Sequence, residues 1–484
     1  MMSSKSDAAE TRPRKRVRRR VLLAAAAALF CFLTLALDQH YRHSELPGFC
    51  PASATWFVGS ADFPGFWSAW RQLPEVVAAR EALAGPLGGA GIAFRKAFHV
   101  PLTPACWNFL LGRRLMAAGD GQDVVLCFRP GLPLRVADRL RSGFGMFSRA
   151  PKRFGPLYYQ WRDGFLLVSA SETFLLVAQG NGVTPSSLAS LGQGMTLAWT
   201  QPVRGSLVCE PDALHAWGRL DTKMTASRAP LRFADAWPVP PLVSLGAKKP
   251  GEVVRLVEQV CEPLEDGPLF QAISPAVETL THAWTTTTSG ELAWPNKEMT
   301  LALLAMQLDD AGMPVPVLGA LAEDTAKPSA AERFQNRYGP VIPHGWDAYS
   351  GWILPWWGER FSICVAQDNT LWMASSQEPA LAGMAGHVSP VRSPGHIAFR
   401  MDCARLAPVL ESLLGAAARD ELLPRCSEED VATFWAPYCR ALGALKAFRL
   451  DGFVQDDGTL RLELRAGKGA ESQDAVRNDT ETAP

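Results

Sequence analysis

The sequence lacks net charge: 48 Lys and Arg are balanced by 48 Asp and Glu. A nucleic-acid binder, which needs a basic face, is therefore not indicated. Compact catalytic signatures are absent as well. There is no Gly-x-Ser-x-Gly elbow, no His-Glu-x-x-His, and no Ser-x-x-Lys accompanied by Lys-Thr-Gly. These absences remove the familiar serine-hydrolase, zinc-protease and penicillin-binding readings. No Cys-x-x-Cys occurs, so neither a zinc ribbon nor a thioredoxin-type redox pair is encoded. The Gly-rich turn at 85–91 has no Gly-Lys-Ser/Thr ending and no spaced Gly-x-Gly-x-x-Gly, and it reads as a connector between helices.

What is present suits a folded chain. Apolar residues make up 48% and charged residues 20% of 484 positions, enough for a sizeable core in two to four domains. The ten cysteines are widely scattered and are not a small-domain disulfide framework. Cys127 and Cys364 sit in strand-like apolar runs, where a thiol acts as a small hydrophobe. Cys426 and Cys439 flank an expected helix and are a candidate bridge.

Charge is unevenly placed. Residues 1–20 hold eight basic and two acidic side chains, and seven of the nine residues from 12 to 20 are basic. An uncharged apolar run of seventeen residues follows, 21–37, opening on Val21 and closing on Leu37. At about 1.5 Å per residue it reaches roughly 25 Å, close to a bilayer's hydrocarbon core. The positive-inside rule then puts 1–20 in the cytoplasm and the remainder across the inner membrane. A cleaved signal peptide is the alternative; the run is long for that and the cut site near Thr34 and Ala36 is poor. The expectation is a single-pass signal anchor that contacts membrane lipid through 21–37.

Beyond a connector at 38–51, period-2 apolar alternation and turn residues mark many strands. An Asp163-Gly164 turn joins two such runs, a strong hairpin signal. A helix is expected from Pro64 to Leu83, one from Asp212 through Trp217, one after Asp402, and one from Ser427 with Asp430 as its box partner. The divisions read are 52–192, 193–310, a linker 311–340, then 341–392 and 393–466, with a polar, disordered tail at 467–484.

Two stretches look alike: the hairpin from Arg162 to Glu172 recurs from Gln367 to Gln377, and the strand–Asp–helix pattern at Asp62 recurs at Asp402. The expected fold class is α+β: an N-terminal transmembrane helix, then tandemly duplicated units of antiparallel sheet with packed helices, 52–310 and about 330–466. This layout resembles bacterial single-span envelope proteins with a duplicated α+β extracytoplasmic region, a group without an assigned activity. The resemblance implies no chemistry and carries over no site residues.

Candidate functional residues are few. His40 and His43 read as solvated connector residues, and His215, His344 and His396 as structural ones. The acidic neighbours Asp309-Asp310, Glu428-Glu429 and Asp456-Asp457 read as solvated turns. Tryptophan is the unusual feature, sixteen in all. Trp352, Trp356 and Trp357 are the candidate ligand-contact aromatics, because adjacent strand residues face opposite sides and one ring of the last pair would be exposed. No catalytic residue, metal ligand or cofactor site is expected. The functional expectation is a membrane-anchored envelope binding or scaffold protein for a protein or glycan partner. The alternative is an envelope hydrolase with an unfamiliar site.

Overall fold

The structure is a computed structural model. It describes most of residues 50–86, 112–135, 151–177, 194–261, 298–323 and 342–375, and all of 395–419 and 427–467. In chain order the elements are β1 (Trp56–Ser60), α1 (Phe63–Trp70), α2 (Pro74–Ala82), β2 (Leu115–Gly119), β3 (Val124–Phe128), β4 (Lys152–Phe154), β5 (Leu157–Arg162), β6 (Phe165–Ser169) and α3 (Glu172–Val177). Next come β7 (Met195–Trp199), β8 (Gly205–Cys209), β9 (His215–Leu220), β10 (Val243–Ala247), α4 (Pro250–Cys261), β11 (Met299–Leu308), β12 (Pro314–Glu323), β13 (Ile342–Trp346), β14 (Tyr349–Pro355), β15 (Ser362–Asp368) and β16 (Leu371–Ser375). The last elements are β17 (Ile397–Asp402), α5 (Cys403–Arg419), α6 (Glu428–Asp430), a π-helical segment (Val431–Trp435), α7 (Ala436–Ala444), β18 (Ala447–Val454) and β19 (Leu460–Ala466).

The chain divides into two compact units. In the smaller one (Met1–Pro64 and Ala97–Ser190) the strands run β1-β2-β3-β6-β5-β4, all antiparallel. Alternation puts Phe57, Met116, Ala118, Val125, Cys127, Phe165 and Leu167 on one buried face, and Phe174 and Leu175 of α3 are buried with them. Fully burying each large side chain of this kind contributes about 1.5–3 kcal/mol.

The larger unit (Gly65–Lys96 and Leu191–Pro484) carries one antiparallel sheet in the order β7-β8-β9-β19-β18-β17-β10-β11-β12-β16-β15-β14-β13. One face of its middle is apolar. Ala247, Ile397, Val454 and Leu460 cluster there with Met224 and with Val253 of α4, flanked by Leu220, Leu245, Leu256 and Leu462. In the helical layer Gly443 of α7 approaches Ala407 of α5 so closely that an added Cβ would lie 3.0 Å from the alanine methyl.

The expected fold class is corrected by this topology. Tandem α+β units would each close their own sheet. Instead β9 pairs with β19, β10 with β17 and β12 with β16, so strands from both expected halves alternate in one sheet. Among the described residues strands dominate and helices are few. The connectivity β1-β2-β3-β6-β5-β4 recurs as β10-β11-β12-β16-β15-β14, and the three-stranded meander β7-β8-β9 recurs as β17-β18-β19. The repeat therefore breaks between Leu220 and Val243, not near 310. The likeness between 162–172 and 367–377 falls on the hairpins β5-β6 and β15-β16, which hold the same place in the two halves.

The transmembrane, single-pass and inner-membrane expectations are corrected too. Among the described residues no helix is long and apolar enough to cross a membrane. The run at 21–37 lies outside them.

Local differences have local causes. The helix expected over 64–83 is two helices, because Pro74 cannot continue the first and opens the second. The helix expected from Asp212 through Trp217 is instead the hairpin into β9, stabilised by pairing on both sides. Strand β12 occupies residues expected as linker. Pro314 and Pro316 sit where β12 pairs only with β11, since β16 joins from Gly319 onward. The Asp402 cap is present, its carboxylate accepting from Arg405 N–H at 3.0 Å. Ser427 and Asp430 form a reciprocal capping box.

Candidate functional site

Two features of the larger unit stand apart from its packing. The first grows out of Phe-Arg-Leu-Asp-Gly-Phe in β18 and Leu-Arg-Leu-Glu-Leu-Arg in β19. Alternation puts Phe448, Leu450 and Gly452 of β18 and the leucines of β19 on one face, and every charge on the other, where Phe453 also lies, opposite Arg461. The register then aligns the charges across four strands. Arg400 lies opposite Arg449, Arg449 opposite Arg465, and Arg465 opposite His215. One residue pair along, Glu463 lies opposite Trp217, and Arg461 opposite Arg219.

Carboxylates knit the inner part of this ladder. Asp451 accepts from Arg400 Nη2 at 2.6 Å and from Arg449 Nε at 2.7 Å, all three side chains being largely buried. Arg400 also donates to the Leu450 carbonyl at 3.0 Å. Glu463 accepts from Arg465 Nε at 2.9 Å and lies 3.2 Å from His215 Nε2. The other imidazole nitrogen is 3.1 Å from Glu210. His215 is thus held between two carboxylates on a strand.

The outer end of the ladder is open. Trp217 is 47% exposed, and Arg219 and Arg461 are exposed beside it. Arg219 donates to Asp457 at 3.0 Å and lies 3.4 Å from Asp221. The Asp457 carboxyl is held below its usual range by the Thr459 hydroxyl and the Thr459 N–H. Among the described residues no acidic group pairs with Arg461.

The second feature lies in the helical layer. After the capping box the helix widens to a π turn over Val431–Trp435. The extra residue separates the buried Val431 and Ala436 by five positions rather than four, so the residues between them bulge outward. Phe434, Trp435 and Tyr438 are exposed by 51%, 39% and 44%. Phe434 meets Trp435 edge-on (centroids 5.4 Å apart, 89° between planes) and Tyr438 at 5.3 Å and 55°. The turn before them carries Glu428, Glu429 and Asp430, of which Glu428 is 3.1 Å from Arg419.

No protein-family model, curated protein or solved structure matches this chain. Its function is argued from these side chains alone.

The residues singled out in the sequence are placed differently. Trp352 lies within β14, between Pro343 of β13 and Val365 of β15 in register. Trp356, Trp357, His40, His43 and the Asp309-Asp310 pair lie outside the described residues. His344 is in β13, opposite Gly351. His396 enters β17 and accepts from Val454 N–H through Nδ1 at 2.9 Å. It lines a cavity of only about 10 Å³ beside α4. Among the described residues no three His, Cys, Asp or Glu side chains are placed to hold a metal ion. Cys439 is a free, buried thiol, so it makes no bridge to Cys426. Burial pushes the Cys50 and Cys403 thiols up to about 11 and Cys127 higher still.

Sequence reading overlooked both features. The period-2 charges of β18 and β19 were legible as strands, but not as a ladder, because register with β9 and β17 is not encoded locally. The aromatic trio reads as ordinary helix until the inserted residue shifts its phase.

Proposed function

We propose that the chain is a non-catalytic binding or scaffold protein, and that the knob formed by Phe434, Trp435 and Tyr438 docks it to a partner protein. The exposure of three mutually packed aromatic side chains at a π turn carries this reading. Aromatic residues dominate interface hot spots, and leaving three in water serves no folding purpose. Their edge-on packing makes a wedge for a partner's groove rather than an open ring face for a sugar. The acidic turn beside them, with Arg419 offsetting one of its three carboxylates, suits a partner segment that combines apolar and basic residues.

The test places a photo-crosslinking phenylalanine at position 434 of the full chain in its native cells and maps the crosslinked peptide. The expected result is one stoichiometric partner peptide holding apolar residues next to Lys or Arg, lost in the Trp435→Ala, Tyr438→Ala double variant. Adducts only to lipid, only to a second copy, or to no discrete species overturn the reading. Among the described residues the arrangement that comes nearest to the hydrolase alternative is Glu210 and Glu463 about His215. There the imidazole fills the space between the carboxylates that a substrate would need.

A further inference from the structure

The open end of the charged ladder is a separate site, and the structure argues for its ligand. Arg461 and Arg219 face each other directly across β19 and β9. Like charges at directly opposed positions destabilise a sheet, so stability does not explain the pair. Arg219 is braced by Asp457 and Asp221, and Asp457 is itself fixed by Thr459 at 2.6 and 3.0 Å. Arg461 has no acidic partner among the described residues, and its guanidinium remains available. Trp217, diagonal to Arg461, presents an exposed indole on the same sheet face.

We infer that Trp217, Arg461 and Arg219 bind an acidic glycan, a sugar chain carrying carboxylates. The indole supplies an apolar surface on which a pyranose ring can lie. Arg461 supplies a planar two-pronged donor matched to a carboxylate. Glu463, directly opposite Trp217, holds Arg465 and His215 through Oε1, so Oε2 can accept from ring hydroxyls, as can the second lone pair of Asp457 Oδ2 beside Arg219; a polyhydroxylated ring offers such donors and a simple anion does not. The same acidic groups disfavour a doubly charged phosphate. Because the site lies on inner strands paired on both sides, a peptide cannot add there as a further strand.

The test is calorimetric titration of the full chain with hexagalacturonate, with an uncharged hexasaccharide and hexaglutamate run in parallel. The expected result is binding of hexagalacturonate, with the uncharged sugar and the acidic peptide at least about tenfold weaker. Trp217→Ala and Arg461→Gln should each weaken binding by about tenfold or more, and Arg461→Lys by less, since a lysine keeps the charge but not the fork. Both positions are exposed, so Trp217→Ala and Arg461→Lys should keep the wild-type melting temperature, and Arg461→Gln, which relieves the repulsion with Arg219, should match or exceed it. Absence of binding, equal binding of hexaglutamate, equal binding of the uncharged sugar, or an unaffected Trp217→Ala variant would each overturn the assignment.

Discussion

Glu298 shows what a single buried charge does in this protein. It is fully buried just before β11, and it accepts from the Phe233 N–H at 2.9 Å, from the Arg232 N–H, and from Lys248 Nζ at 2.7 Å. It fastens the 231–233 segment to the strands. Glu298→Ala removes this carboxylate from Lys248 and leaves two N–H groups without it, which should cost about 1–3 kcal/mol; urea unfolding should show the midpoint fall with little change in slope. Asp451, shared by Arg400 and Arg449, follows the same logic. At the thiols the argument runs through reactivity. The thiolate is the nucleophile, and burial holds Cys127 and Cys403 in the thiol form. At pH 8 iodoacetamide should leave both unmodified in the folded protein and modify them in urea, as read by peptide mass spectrometry.

At the scale of elements, the segment from Ser427 to Ala444 joins a cap, a π turn and a helix. The Ser427 hydroxyl, then its N–H, holds the Asp430 carboxyl below the ordinary range. A depressed carboxylate contributes stability that is present above its unfolded value, about 3.9, and is lost as pH falls through the lower folded one. The helicity difference between wild type and Asp430→Asn, followed by circular dichroism, should therefore persist at pH 5 and vanish well below pH 4. Ser427→Ala should cost about 1 kcal/mol. The π turn makes a sharper prediction. Deleting Ala432 restores four-residue spacing between Val431 and Ala436, keeps both inward, and turns Trp435 toward the core flank. Stability should hold or rise while crosslinking at position 434 disappears. An unchanged adduct would mean that the bulge does not matter for docking. The cap was legible in the sequence because Ser427 and Asp430 are neighbours. The π turn was not, because it goes with the burial of both Val431 and Ala436, five positions apart, which no local sequence signal marks.

On the scale of the whole molecule, the sheet of the larger unit joins strands far apart in the chain. Its two meanders meet where Leu460 lies opposite Leu220 and Arg465 opposite His215. Truncation after residue 310 removes β19 from β9, β17 from β10 and β12 from β11. Three strands would be left with unpaired edges, a recognised route to aggregation. The truncated chain should sediment with the insoluble fraction. A soluble product with native-like dichroism would show that pairing between the halves is dispensable. The sequence by itself determined the strands with clear alternation, the β5–β6 hairpin and the β18–β19 hairpin with its Asp456-Asp457-Gly458 turn, the caps at Asp402 and Ser427, and the side of each strand on which its charges lie. Each of these is set by neighbours within a few residues. Only the tertiary structure decided that β9 lies beside β19 and β10 beside β17, and so that Trp217, Arg219 and Arg461 share one surface. Backbone hydrogen bonds are the same for any two strands, so alternation fixes a strand's face but not its partner. The partner is chosen by how the buried faces pack together.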